Sequence, residues 1–170
     1  MQWRWAIFCV ALLFAGCGDS YQVVPDPYGQ KVITGRMTPA LLASDSSFGW
    51  YRKNFSSFTP DSASVAYLST SAQDIHFIVI GGTWCGDTKR ELPKFFKTME
   101  AAHIPESHIE LYGVDRSKEN SEHSAEKYDV VSVPTFIVIS HGKEIGRIVE
   151  QTKKGIEFDL VDILKEKQTR

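Results

Sequence analysis

A chain of 170 residues has room for one domain of ordinary size with a modest extension. Its composition, 42% hydrophobic and 24% charged with no biased tract, is globular and argues against disorder. A net charge of -2, without a run of five like charges, gives no electrostatic reason for a nucleic-acid partner. Of the 3 cysteines, Cys9 and Cys17 fall within the first seventeen residues and Cys85 stands alone in the body. Neither a disulfide framework nor a cysteine metal site can be built from that arrangement.

Met1 to Trp5 carries one positive charge, Arg4, and an apolar run from Ala6 to Ala15 follows. The run is shorter than the roughly 20 apolar residues a membrane-spanning helix needs, and the pattern is that of a secretory signal. Its boundary, Leu13-Phe14-Ala15-Gly16-Cys17, resembles the bacterial lipobox, with Phe14 in place of the usual aliphatic residue. A plain secretory signal or an uncleaved anchor is the alternative. The lipobox reading makes residues 1–16 a signal peptide, discards Cys9 and places lipid on Cys17. The domain would then be lipid-anchored to a membrane and periplasm-facing in a bacterial cell envelope. Gly18 lacks the aspartate retention signal, which leans towards the outer membrane. Cys85 would be the only free thiol.

Residues 17–35 are expected to be the lipidated N-terminus and a tether, since Asp19 to Gln30 is polar and holds Pro25, Pro27 and Gly29. A short strand around Lys31 to Gly35 is possible. Residues 36–170 form the domain, with an N-terminal helical extension and a core at about 75–167. Thr38-Pro39 predicts a capped helix from Ala40. Phe48, Trp50, Tyr51, Phe55 and Phe58 form an aromatic cluster suited to packing an N-terminal helix on the domain. Thr59-Pro60 predicts a second short helix through about Ser69.

The pattern then changes. Ile75 to Ile80 is apolar except for His76, as expected of a central strand buried on both faces. Gly81 to Trp84 makes a turn, and Asp87 to about Ala102 is helical, with Leu92, Phe95, Phe96 and Met99 at helical spacing. A strand at Ile109 to Val114 and a helix at Asn120 to Tyr128 follow. Strands at Thr135 to Ser140 and Glu144 to Val149 are joined by His141-Gly142-Lys143, a hairpin signal. A last amphipathic helix runs from Gly155 to about Lys167 with Ile156, Leu160, Ile163 and Leu164 inward. The order predicts an α/β fold, a central mixed sheet with helices on both faces.

Cys85 falls where a buried strand ends and a helix begins. A cysteine there meets the unpaired N–H groups of the helix start, which favour thiolate over thiol. Lys89 and Arg90 add positive charge, and Asp87 opposes them. Thr83-Trp84-Cys85-Gly86-Asp87 resembles the active-site segment of the thioredoxin superfamily. Pro93 matches the proline that kinks the family's active-site helix. Val131-Ser132-Val133-Pro134-Thr135-Phe136 matches the segment in which the family keeps a cis-proline facing the cysteine. Gly142 and Gly146 fit the following hairpin and last strand, so the match covers over half of the chain and implies a thioredoxin-like fold. Gly81 to Phe96, with Phe48-Gly49-Trp50-Tyr51, also resembles thioredoxin-family lipoproteins of the Bacteroidetes type.

The chain departs from the redox members at two places. Their second cysteine is Thr88 here, a CxxT variant of CxxC, and their buried acid in the central strand is Val79. Cys85 therefore cannot close an intramolecular disulfide, and a mixed disulfide would need an external resolving thiol. The resemblance implies Cys85 as nucleophile, with Trp84, Val133 and Pro134 as the platform against which an extended substrate pairs. Gly86, Asp87 and Thr88 would tune the thiolate. Thr88 has two open roles, donating a hydrogen bond to the thiolate or filling the helix start.

The expected activity is monothiol thiol–disulfide exchange on protein or small-molecule disulfides of the envelope. A non-catalytic binding or chaperone-like module, or a thiol peroxidase, is the alternative. No cofactor or metal is expected. His76, His103, His108, His123 and His141 are scattered, and none pairs at the spacing of a helical metal motif. Asp115-Arg116 is read as ending its strand and capping the next segment.

Overall fold

The computed structural model describes residues 21–168. Six strands, β1 (Tyr21–Val24), β2 (Val32–Met37), β3 (Ile75–Gly81), β4 (Ile109–Gly113), β5 (Thr135–Ser140) and β6 (Lys143–Val149), form one mixed sheet. They lie in the order β1-β2-β4-β3-β5-β6. Only β3 and β4 pair in parallel, with Val79 opposite Leu111, while β5 runs antiparallel on the other side with Phe136 opposite Val79. The continuous apolar run of β3 follows from this central place, which leaves only His76 exposed.

Helices α1 (Pro39–Ser44), α2 (Gly49–Ser57), α3 (Ser62–Ser71), α4 (Gly86–Ala101), α5 (Ser124–Lys127) and α6 (Ile156–Gln168) complete the fold. One face of the sheet holds the larger core, where Phe77, Val79 and Phe136 meet Leu68, Leu92, Phe95 and Leu160 from α3, α4 and α6. Phe95 is fully buried, edge-on to Phe77 at 5.6 Å between ring centroids and 5.1 Å from Phe136. Burial of one such side chain contributes roughly 1.5–3 kcal/mol. The other face holds a smaller cluster, Ile78, Ile80, Tyr112, Val133 and Ile137, with Ala125 of α5.

The aromatic cluster joins α2 to α4. Phe48 and Tyr51 are buried, and the Tyr51 ring lies between Phe55 at 5.9 Å and Phe96 at 6.5 Å. The β5–β6 turn has His141 at φ 50° and Gly142 at φ 74°, the pair of positive φ values of a type I′ hairpin. Thr38 caps α1 by accepting from the Leu41 N–H at 3.1 Å.

Three elements differ from the sequence reading. The segment read as a tether is, from Tyr21 onward, the first arm of a hairpin, with Tyr21 opposite Gly35 and Val24 opposite Val32. Its prolines and glycine belong to the turn. Asp26 accepts from the Tyr28 and Gln30 N–H groups, and Gly29 takes φ 70°. The β2 residues Val32 and Ile33 are then buried in the core. The cap of α3 is Asp61, which accepts from the Ser64 N–H at 2.8 Å, two residues after the expected Thr59. The helix read over Asn120 to Tyr128 is only the single turn of α5. The buried Asn120 side chain donates to Gly113 O at 3.0 Å and accepts from the Ser124 N–H, and His123 is left-handed at φ 49°. A side-chain bond to the sheet thus replaces the first helical turn.

Candidate active site

The turn between β3 and α4 is held from three sides. Cys85 N–H donates to Gly82 O at 2.9 Å, closing it locally. A side chain at Gly82 would put its Cβ 2.5 Å from the Trp84 indole nitrogen, so only glycine fits there. Thr83, 2% exposed, accepts from the Ile33 N–H at 3.2 Å and donates to Lys31 O at 3.1 Å, tying the turn to β2.

Cys85 is the N-cap residue of α4, extended at φ -81° and ψ 131°, with its carbonyl accepting the Lys89 N–H. It is half-buried and unpaired. Its thiol donates to Val133 O at 3.2 Å, and the Val133–Pro134 peptide is cis. Trp84, Cys85, Val133 and Pro134 are therefore brought together, although 48 residues separate Cys85 from Val133. Beside them Val131 is 79% exposed, an apolar side chain open to a partner.

The residues after the cysteine take different parts. Thr88 is fully buried, and its hydroxyl oxygen accepts from the Gly82 N–H at 3.2 Å, so the hydroxyl braces the turn beneath Cys85. Asp87 pairs with Arg90 at 2.7 Å. A Cβ at Gly86 would meet nothing within 4 Å, which leaves that side of the cysteine open. Val79 is an apolar core residue with no exposure. Cys17 and Cys9 lie outside the described residues. Among the described residues no three potential metal ligands gather.

Three residues the sequence reading did not connect complete the surround. Trp84 Nε1 donates to Val114 O at 3.0 Å, and the Arg116 guanidinium lies 5.0 Å from the Trp84 ring. On its other side Arg116 lies 4.4 Å from the Tyr28 ring, and its Nε donates to Asp26 at 2.6 Å. The Asp26 side chain is 1% exposed. The Arg116 hydrogen bond holds its carboxyl below the usual carboxylate range, against the opposing effect of burial. The β1–β2 turn is thereby latched to Trp84, the neighbour of Cys85. Asp115-Arg116 was legible only as a strand end, and Asp115 does accept the Glu119 N–H there. Nothing local signals the partner of Arg116, 90 residues away.

A sequence profile of the thioredoxin family matches residues 65–165, from within α3 through most of α6. The chain belongs to the thioredoxin family. A thioredoxin-like protein of Acanthamoeba polyphaga mimivirus is 31% identical over 80 residues, which cover 47% of this chain and 56% of that protein. The thioredoxin of Chlamydia trachomatis is 36% identical over 83 residues, 49% of this chain and 76% of that protein. This chain thus spans little more than half the length of the mimivirus relative. A Pseudomonas aeruginosa protein of unknown function shares the fold, with a TM-score of 0.52 at 16% identity over 76% of this chain and 90% of its own. In this thioredoxin domain the matched region includes Cys85 and Pro134 but leaves out β1 and β2, whose turn carries Asp26 and Tyr28.

Proposed function

We propose that this thioredoxin-family protein performs monothiol thiol–disulfide exchange through Cys85. The observation that carries the reading is the placement of Cys85, the one cysteine among the described residues, at the start of α4, 3.2 Å from the carbonyl that precedes Pro134, with Thr88 where a resolving thiol would sit. The Cys85 thiolate attacks one sulfur of a substrate disulfide. A bond forms between Cys85 Sγ and that sulfur, the substrate S–S bond breaks, and the departing thiolate takes a proton from solvent. A second thiolate, from a small thiol or a partner protein, then attacks the mixed disulfide and returns Cys85 as thiolate. The Trp84 ring and the Val133–Pro134 edge beside the cysteine are the contacts for an extended substrate segment.

Within the same proposal the chain is a lipoprotein of the Bacteroidetes thioredoxin-family type. Cys17 is the lipidated residue, residues 1–16 are the signal peptide, and the domain faces the periplasm, at the outer membrane. Lipid labelling in a bacterial host, abolished by Cys17→Ala, is the expected result for that part. Labelling that survives the substitution would discard it.

The exchange reading is tested by mixing the protein with oxidised glutathione and following mass. One adduct per chain, stable until a free thiol is added and absent in Cys85→Ser, is expected. Adduct formation no faster than in the denatured protein would sink the reading. Equal capture of partners by Cys85→Ser would favour a binding module on the same edge instead.

A further inference from the structure

Of the large hydrophobic side chains exposed among the described residues, half lie on one arm of the β1–β2 hairpin: Tyr21, Val23 at 54% and Tyr28 at 73%. β1 is an edge strand of the sheet. Val23 stands opposite Ile33 and Tyr21 opposite Gly35, so both side chains point to the sheet face on which Ile33 joins the larger core. Ile33 is fully buried there, and one strand further out the same face is uncovered.

Neither charge on the arm is unpaired. Between Tyr21 and Lys31 the one acid is Asp26, whose carboxylate is buried against Arg116, and Lys31 is paired with Asp45. Such a strip carries little polar surface to desolvate. Tyrosine also suits a membrane–water interface, where the ring meets apolar matter and the hydroxyl stays wet.

Where the arm begins argues for what covers it. Tyr21 comes four residues after Cys17, and four residues span at most about 14 Å. A short tether of this kind sets an effective concentration of about millimolar. Three side chains too few to hold a free protein on a bilayer can therefore hold an anchored one. Edge pairing with a second copy would use the same strand, but a second copy must first be met, whereas the lipid surface is always within reach.

We propose that in the lipid-anchored protein the β1 arm lies on the membrane surface, with Tyr21, Val23 and Tyr28 in the headgroup layer. This contact rests on the lipidation of Cys17 proposed above and is independent of the chemistry of Cys85. The arm leads into the turn latched to Trp84 through Asp26 and Arg116, so the contact orients the cysteine site relative to the bilayer.

The test supplies the lipid chemically, so its failure and a failure of Cys17 labelling in the host are separate results. The chain from Cys17 onward contains every described element. It is made with Cys85→Ser, which leaves Cys17 as its one thiol, and coupled to a maleimide phospholipid in vesicles of phosphatidylcholine and phosphatidylglycerol. The reference is the same chain capped with N-ethylmaleimide and free in solution. Hydroxyl-radical labelling read by mass spectrometry reports side-chain exposure. Relative to Phe158, an exposed ring on α6, Tyr21 and Tyr28 should be labelled severalfold more slowly on vesicles than in solution. Val23→Asp, at an exposed position, should keep the Tm and abolish that protection. The proposal is overturned if the labelling of Tyr21 and Tyr28 relative to Phe158 is the same on vesicles as in solution, or if protection survives Val23→Asp. Protection of the capped chain in solution that grows with protein concentration would also overturn it, giving the strand edge to a second copy.

Discussion

Replacing Thr88 with cysteine asks whether the missing second thiol, rather than the fold, is what separates this domain from a dithiol site. Residues three apart at a helix start bring their Cβ atoms to about 5–6 Å, within reach of a disulfide after small adjustment. The reduced variant should be less stable than the wild type. Thr88 is fully buried, and its hydroxyl oxygen is the acceptor for the Gly82 N–H. Sulfur accepts weakly, so the N–H is left nearly unpaired at a cost of about 1–3 kcal/mol. Oxidation then closes a four-residue loop, worth about 2 kcal/mol by the chain-entropy relation. The oxidised variant should thus return close to wild-type stability. Urea unfolding with and without a reductant measures both states, and insulin reduction measures whether turnover appears. Two results would refute the reasoning. One is a reduced variant as stable as the wild type, since the Thr88 bond would then contribute nothing. The other is failure to form the disulfide under oxidising conditions, since the geometry around Cys85 would then not be that of a dithiol site.

Other outcomes follow from the packing and the latch. Phe95→Ala removes a fully buried ring between Phe77 and Phe136 and should lower stability by about 3–5 kcal/mol in urea unfolding, with no change in m-value. Asp26 has a folded pKa below its unfolded value, so its stabilising effect is present above the ordinary carboxylate range and is lost as pH falls through the lower folded value. The stability difference between wild type and Asp26→Asn should therefore be full at pH 7 and shrink below about pH 4; a difference that persists unchanged into acid would exclude the ion pair as its source. Gly82→Ala would press a methyl group into the Trp84 indole, so Tm should fall and Trp84 emission should shift; an unchanged spectrum would mean that the turn has room the structure does not show.

From β3 to α6 every element but α5 was legible because their signals are local. An unbroken apolar run marked β3, residues at helical spacing marked α4, and the His141-Gly142 turn marked the β5–β6 hairpin. Cys85 could be placed at a helix start on the same basis. The residues at 131–136 could be set opposite it only through family resemblance. The chain around Asn120 was read as helix because its polarity pattern permits one. The deciding contact, from the Asn120 side chain to Gly113 O on the sheet, carries no periodic signature.

What the sequence by itself determined is the thioredoxin core and a cysteine, Cys85, at the head of its main helix. Periodicity and capping residues act within one element or between neighbours, and the segments at Cys85, Pro93 and Pro134 were joined to them through their resemblance to the thioredoxin family. Only the tertiary structure decided that the stretch after Ser20 is a strand pair added beside β4, and that its turn latches Trp84 through Asp26, Tyr28 and Arg116. It alone turned the Thr88 hydroxyl towards Gly82 and left the buried Tyr51 hydroxyl without a hydrogen-bond partner among the described residues. These outcomes depend on which buried donors and acceptors find one another across the folded chain. That matching is settled by packing over tens of residues, where no local pattern records it.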